Sequence, residues 1–115
     1  MKLLKTLAII FALVGPSVQA QNLSIATGGT GGVYYPMGGG LAAVLSKQVA
    51  GMSATAEVTG GSVDNLNLIG SGKPYIAFSM SDAAKDALVG EGKFVGKKIG
   101  LSTLLVLYPN RMHVV

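Results

Sequence analysis

The sequence predicts an α/β fold in which a parallel sheet is flanked by helices. After residue 20, apolar stretches with strand periodicity alternate with segments of helical periodicity, and each strand leads into a short glycine-rich or polar turn that opens a helix. This strand, turn and helix order occurs three times, without an internal sequence repeat. Because consecutive parallel strands need crossover helices, the order predicts a parallel sheet. The length of 115 residues allows one small domain.

Residues 1–20 have the pattern of a secretory signal peptide. Lys2 and Lys5 give a basic start, residues 7–14 are apolar, and a Gly-Pro break precedes Ala20. The apolar run is far shorter than the roughly 20 residues that span a bilayer, which disfavours a permanent anchor. We therefore expect export, with cleavage near the Ala20/Gln21 bond and a mature chain that is not itself an integral membrane protein.

The charge of the chain gives little support to nucleic-acid binding. The net charge is +4 and the isoelectric point about 9.5, but removing Lys2 and Lys5 leaves seven basic against five acidic side chains. The largest lysine cluster is Lys97-Lys98, and no aromatic platform accompanies it. The chain has no cysteine, so an exported domain depends on a packed core rather than on disulfides.

The first unit consists of a strand over residues 23–27 and a helix over residues 36–50, which Gly51 is placed to cap. The apolar positions of that helix recur at helical spacing: Met37, Leu41, Val44, Leu45 and Val49. The consecutive glycines 38–40 each cost about 1 kcal/mol in a helix. We therefore expect a ligand or a neighbouring element to lie close to them.

The second unit is a strand over residues 53–59 and a helix that Ser62 caps and that Gly72 and Pro74 end. The third unit is a strand over residues 75–78 and a helix that Gly90 ends. A loop with Phe94 and Val95 buried follows, then an apolar strand over residues 99–108 and the start of a fifth strand at residues 112–115. Because the last strand has no turn after it, we expect the chain to be a fragment of a longer protein.

The three turns after the strands are expected to face one crevice, because ligands of parallel sheets bind beyond the carboxyl ends of the strands. Helix starts there would offer donors to a carboxylate or phosphate, and the wall of the crevice would also carry the hydroxyls of Thr27, Thr30, Ser62, Ser79 and Ser81. Simpler interpretations remain open: the first loop can be only a tight turn, and Ser62 and Ser81 can be plain helix caps. Asp82 lies at a helix start that favours any carboxylate, so a ligand role and a structural role stay open for it.

The sequence lacks the motifs that are typical of catalysis and of bound cofactors. Tyr34 stands where a dinucleotide fingerprint needs its third glycine, and neither a phosphate-loop motif nor a nucleophile elbow occurs. With one histidine and no cysteine, neither a nucleophile and base pair nor a metal cluster can be assembled. We therefore expect no enzyme activity, no cofactor and no metal.

Three motifs carry a resemblance to a known family. They are residues 25–38, which read IATGGTGGVYYPMG, residues 59–66, which read TGGSVDNL, and Ser81-Asp82. In this order, and after an export signal, they resemble the TAXI family of solute receptors, the extracytoplasmic binding subunits of one branch of TRAP transporters. The likeness covers essentially the whole stretch after residue 20.

The resemblance implies a type II periplasmic-binding-protein fold of two α/β lobes, of which residues 21–115 would be the incomplete first lobe. It implies a periplasmic receptor that binds a small organic anion, such as a glutamate-like amino acid or a dicarboxylate, and delivers it to TRAP membrane subunits. The ligand-binding residues that it implies are Thr27, Gly28, Gly29, Thr30, Gly31, Gly32, Val33, Tyr34, Tyr35, Gly61, Ser62, Ser79, Ser81 and Asp82.

The sequence departs from the family pattern at two places. Family members tend to carry glutamine where Met80 stands and Tyr-Pro-Glu where residues 108–110 read Tyr-Pro-Asn. Two other interpretations stay open at this point. One is an exported phosphate-handling α/β enzyme, and the other is an exported sensor domain, each with its remaining residues after position 115.

Overall fold

The sheet of the protein is parallel and has three strands. A computed structural model describes residues 20–73, 75–109 and 111. Its strands are Gln21–Ala26 (β1), Met52–Glu57 (β2) and Tyr75–Ala77 (β3), in the order β2-β1-β3. The helices are Tyr34–Gln48 (α1), Ser62–Ile69 (α2) and Ser81–Val89 (α3), and a short 3₁₀ helix follows at Gly92–Phe94. The predicted α/β class, with a parallel sheet and flanking helices, is confirmed.

The central position of β1 determines where a ligand can bind. Gln21 to Ala26 pair in register with Met52 to Glu57 on one side, and Ser24 to Ala26 pair with Tyr75 to Ala77 on the other. The chain therefore moves from β1 in one direction and then returns past it. Right-handed crossovers then place α1 and α2 on opposite faces, and the carboxyl end of β1 lies where the strand order reverses.

A first apolar cluster lies between α1 and the sheet. Ile25 and Phe78 are buried there, and side chains spaced along α1 contact them: Tyr34, Met37, Leu41, Ala42 and Leu45. Val44 and Val49, which the periodicity also assigned to this face, are exposed. The prediction was wrong for both residues: Val44 lies outside the stripe of α1 that packs on the sheet, and Val49 is the extended residue that follows the helix.

Gly38 explains one of the three consecutive glycines of α1. A Cβ at this buried position would overlap the Thr27 methyl group, and it would lie 3.5 Å from the Phe78 ring and 3.6 Å from Ile25. A Cβ at Gly39 or Gly40 would meet nothing within 4 Å. The sequence leads us to expect a neighbouring element here, and that neighbour is the end of β1 with Thr27, the residue after it. It requires glycine only at Gly38.

A second apolar cluster joins α2, α3 and the 3₁₀ helix. Its buried members are Leu66, Ala87, Phe94 and Ile99. Phe94 is buried as predicted, but Val95 is 79% exposed, so the prediction of its burial was wrong. The 3₁₀ turn directs only the first of these two adjacent side chains inwards.

The helix ends differ from the predicted ones by a few residues. Helix α1 begins at Tyr34 and ends with Val49, not Gly51, at the C-cap, and α2 ends at Gly70. Gly90 ends α3 in the left-handed conformation, with φ of 79°, as its position after the periodic run predicts. Within the part of the chain that the structure describes, no helix has both the length and the apolar character that crossing a membrane requires.

The predicted strand over residues 99–108 is wrong for the residues described. Ile99 is buried, and its N–H donates to the Ala87 carbonyl at 2.8 Å. Leu104 to Leu107 are exposed and lie outside the three-stranded sheet. Strand propensity needs a neighbour to pair with, and none of the described strands pairs with this segment. The predicted signal peptide (residues 1–19 of it) and the predicted fifth strand lie outside the described residues.

Candidate functional site

The loop after β1 is held down at its start and forms a tight turn in its middle. The Thr27 N–H and hydroxyl both donate to the Glu57 carbonyl, at 3.1 and 2.6 Å, and the side chain is fully buried. Gly32 donates to the Gly29 carbonyl at 2.9 Å, which closes the turn before α1. The expectation that the Thr27 hydroxyl lies on the ligand wall is therefore wrong, because that hydroxyl joins the ends of β1 and β2.

Tyr34, the first residue of α1, points from this loop across the sheet edge. Its ring lies against the Phe78 ring, with centroids 5.3 Å apart and planes inclined by 36°. Burial raises the pKa of the Tyr34 hydroxyl, hydrogen bonding to Ser62 lowers it in part, and the nearby Tyr108 and Asp82 add to the rise. The hydroxyl is therefore a neutral donor at physiological pH, and it lies beside the second turn.

The second turn contributes Gly61 and Ser62. Gly61 has φ of 99°, which favours glycine, and it is the N-cap of α2. The Ser62 hydroxyl does not cap the helix; it accepts a hydrogen bond from the Met80 N–H at 3.0 Å. The prediction of a Ser62 cap was wrong, because this hydroxyl links the second turn to the third.

The third turn brings a different residue to the site than expected. Met80 is the N-cap of α3, without a side-chain cap, so the prediction that Ser81 caps this helix was also wrong. The Ser79 hydroxyl donates to the Met80 carbonyl at 3.0 Å, and the Asp82 carboxylate accepts from the Ala83 N–H at 2.8 Å. Both side chains are engaged locally at the helix start.

A cleft of about 300 Å³ opens where these three turns meet. Its lining consists of Gly28, Gly29, Gly32, Val33, Tyr34, Gly61, Ser62, Met80 and Tyr108. All of these except Met80 and Tyr108 belong to the predicted ligand-binding residues, whose contacts with a ligand stay a prediction. The other predicted residues lie outside the lining: Thr27, Thr30, Gly31, Tyr35, Ser79, Ser81 and Asp82.

The described part of the lining is neutral and contains hydrogen-bond donors. Among the described residues, the lining contains no Asp, Glu, Lys, Arg or His side chain, and its polar groups are the hydroxyls of Tyr34, Ser62 and Tyr108 together with main-chain groups of the turns. Val33 and Met80 add apolar surface. The first N–H groups of a helix have no acceptor within it, and the helix dipole favours an anion at that end. The cleft is therefore suited to a small anion with a short carbon skeleton.

A second cleft, of about 520 Å³, lies between the end of β2 and α2. Glu57 and Asp64 both line it, so it presents two carboxylates where the first cleft presents hydroxyls. An anionic ligand would be repelled there. The larger of the two clefts is thus the poorer candidate for an anion.

Sequence reasoning missed two of the lining residues and one buried side chain beneath them. Met80 lies in the third turn, which was expected to face the crevice, but it was not among the predicted ligand-binding residues, and Tyr108 was placed in a strand. Asn65 is fully buried and forms hydrogen bonds with the segments that follow all three strands. Its signal in the sequence is a polar residue directly before Leu66, next to the apolar positions of α2.

Parallel strands whose carboxyl ends share one neutral cleft define an α/β ligand-binding lobe. The architecture is consistent with part of a lobe of a periplasmic binding protein. The chain belongs to the NMT1-like family, which it matches over residues 25–115. This family is periplasmic binding-protein-like and typically extracytoplasmic, so membership indicates a role in solute binding.

Proposed function

We propose that the protein is the extracytoplasmic receptor of a TRAP-type transporter, of the TAXI branch. It binds a small organic anion, an amino acid or a dicarboxylate of the size of glutamate, and delivers it to membrane subunits. Residues 1–20 act as its export signal, and residues 21–115 belong to the first of two lobes. Membership in a solute-binding family and the three TAXI-like motifs support the proposal.

The observation that carries the ligand class is the meeting of three strand ends at one neutral cleft. A carboxylate placed there accepts hydrogen bonds from main-chain N–H groups of the glycine loop and from the Tyr34 and Ser62 hydroxyls. Val33 and Met80 contact the carbon skeleton of the solute. None of the described lining residues is basic, and the attraction proposed here comes from fixed dipoles and hydrogen bonds.

The direct test is calorimetric titration of the complete protein with glutamate and succinate. Inorganic phosphate and the uncharged diamide of succinate serve as comparison ligands. A carboxylate that binds should also stabilise the folded protein. In a separate unfolding measurement, a carboxylate at one hundred times its Kd should add about 2.7 kcal/mol to the free energy of unfolding. If no carboxylate binds, the ligand class is wrong, and turnover of a phosphoester would favour the alternative of an exported enzyme.

Two adjacent tyrosines provide a matched pair of variants. Tyr34 lines the cleft and Tyr35 does not. Tyr34→Phe removes a hydroxyl that donates to the carboxylate, and hydrogen bonds to charged groups are worth about 1.5–3 kcal/mol, or roughly tenfold to a hundredfold in Kd. Tyr35→Phe should leave the Kd unchanged. Equal effects of the two variants would place the solute elsewhere.

The proposed export signal is tested by measuring the mass of the exported protein. The intact mass of protein recovered outside the cytoplasm should correspond to a chain that begins at Gln21. A mass that retains Met1 to Ala20 would contradict the proposed signal peptide.

A further inference from the structure

Asn65 lies beneath the cleft and contacts the segments that follow all three strands. Its side chain is fully buried. The amide nitrogen donates to the carbonyls of Thr27 at 2.6 Å and Phe78 at 2.7 Å, and the Ala26 carbonyl lies 3.3 Å away. The amide oxygen accepts from the Thr59 hydroxyl at 2.6 Å. One side chain therefore connects the segments that follow β1, β2 and β3.

These contacts begin where the regular pairing of the sheet ends. The ladder between β1 and β3 closes with the Phe78 N–H donating to the Ala26 carbonyl at 3.0 Å. The Thr27 and Phe78 carbonyls come next, and a buried carbonyl without a donor costs free energy. An amide suits this position because it offers two donor hydrogens and an acceptor oxygen. Leucine offers neither, and an ionised aspartate offers no donor.

The contacts continue from Asn65 to residues that line the cleft. The Thr59 hydroxyl, which donates to Asn65, also accepts from the Gly61 N–H at 3.1 Å. Thr27 directly precedes Gly28, and the Phe78 ring supports Tyr34. The cleft lining from the first and second turns is thus fixed by a side chain that does not touch the cleft.

We propose that Asn65 is the positioning residue of this cleft: it holds the three loops at the spacing that a bound carboxylate requires. The ligand part of this statement rests on the proposed function, and the geometric part does not. Without the Asn65 contacts, each loop can still form its own turn, but the loops are no longer held at a fixed distance from one another. Ligand affinity then falls by more than the loss of stability explains.

The variants separate positioning from simple destabilisation. Asn65→Asp keeps the shape but loses the donors, and Thr59→Val, a milder change, removes only the hydroxyl between Asn65 and Gly61. Thr59→Ser retains that hydroxyl. Leu66→Ala is the control, because Leu66 is 3% exposed, follows Asn65 in α2 and packs into the second apolar cluster.

The measurements are amide hydrogen exchange in the ligand-free complete protein and the Kd for glutamate and succinate, both well below the unfolding temperature. Thr59→Val and Asn65→Asp should speed exchange at Gly28, Gly61 and Met80 about tenfold more than in the sheet, and weaken binding about tenfold, as loss of a buried hydrogen bond implies. Thr59→Ser should restore both values. Leu66→Ala should speed exchange without preference for the loops and leave the Kd unchanged.

Uniform exchange in Thr59→Val, equal to that of Leu66→Ala, would overturn the proposal even if the protein binds carboxylates. If the wild-type protein binds neither carboxylate, the proposed function fails, and the exchange pattern alone still decides the role of Asn65. If Asn65→Asp does not fold, the pair Thr59→Val and Thr59→Ser decides it.

Discussion

Replacing Gly38 by alanine should destabilise the protein, although the same change in a free helix stabilises it. Alanine is favoured over glycine by about 1 kcal/mol at a helix interior. At Gly38, however, the new methyl group would overlap the Thr27 methyl group and lie 3.5 Å from Phe78. Overpacking of this kind costs about 1–3 kcal/mol.

The Thr27 side chain cannot easily turn away from the added methyl group. Its hydroxyl donates to the Glu57 carbonyl at 2.6 Å, and the residue is fully buried. Breaking such a bond costs about 1–3 kcal/mol, so the upper part of the overpacking range applies. After subtraction of the helix propensity, we expect Gly38→Ala to lower the free energy of unfolding by about 1–2 kcal/mol.

Gly39 is the matched control, because it lies in the same helix and a Cβ there meets nothing within 4 Å. Gly39→Ala should raise the free energy of unfolding by about 0.5–1 kcal/mol. The assay is urea unfolding followed by circular dichroism at 222 nm, with the midpoint compared at equal slope. If Gly38→Ala is as stable as Gly39→Ala, the argument from the contact between α1 and β1 is wrong.

Three further predictions concern the core, a helix end and pH. Phe94→Ala should lower the free energy of unfolding by about 3–5 kcal/mol, because the Phe94 side chain is only 2% exposed. Val95→Ala should change it by no more than about 0.5 kcal/mol, because Val95 is 79% exposed. Equal urea midpoints of the two variants would contradict this prediction. Gly90→Ala should lower the free energy of unfolding by about 1–2 kcal/mol in the same assay, because φ is 79° at this position and alanine is strained there. An unchanged urea midpoint would show that alanine is not strained at this position. Burial, partly offset by Ser62, raises the pKa of Tyr34, and burial and the Glu57 carboxylate raise that of Tyr75. The unfolded chain therefore loses these protons first, so stability is retained below about pH 10 and falls above it. Tyr34→Phe should reduce that fall, as urea midpoints from pH 8 to 11.5 would show, and an unchanged slope would contradict the assignment.

The amino-acid sequence by itself determined the α/β class and the convergence of the three turns. Periodicity distinguishes helices from strands locally, and the rule for parallel sheets then places every strand's carboxyl end at the same edge. Glycine-rich and polar turns between those elements predicted most of the cleft lining without any knowledge of long-range contacts. These features depend on residues close together in the chain, so a single sequence suffices to predict them.

The tertiary structure decided which groups reach the cleft. Tyr34 lines it and Tyr35 does not, Thr27 turns into the core, and Ser62 accepts from Met80 instead of capping its helix. The Asn65 amide nitrogen acquires its three carbonyl partners only when residues 13 to 39 positions away fold against it. The apolar residues 104–107 read as a strand but lie exposed, since a strand needs a partner to pair with. Side-chain direction and long-range pairing depend on packing in the folded protein. Local periodicity of the sequence predicts neither of them.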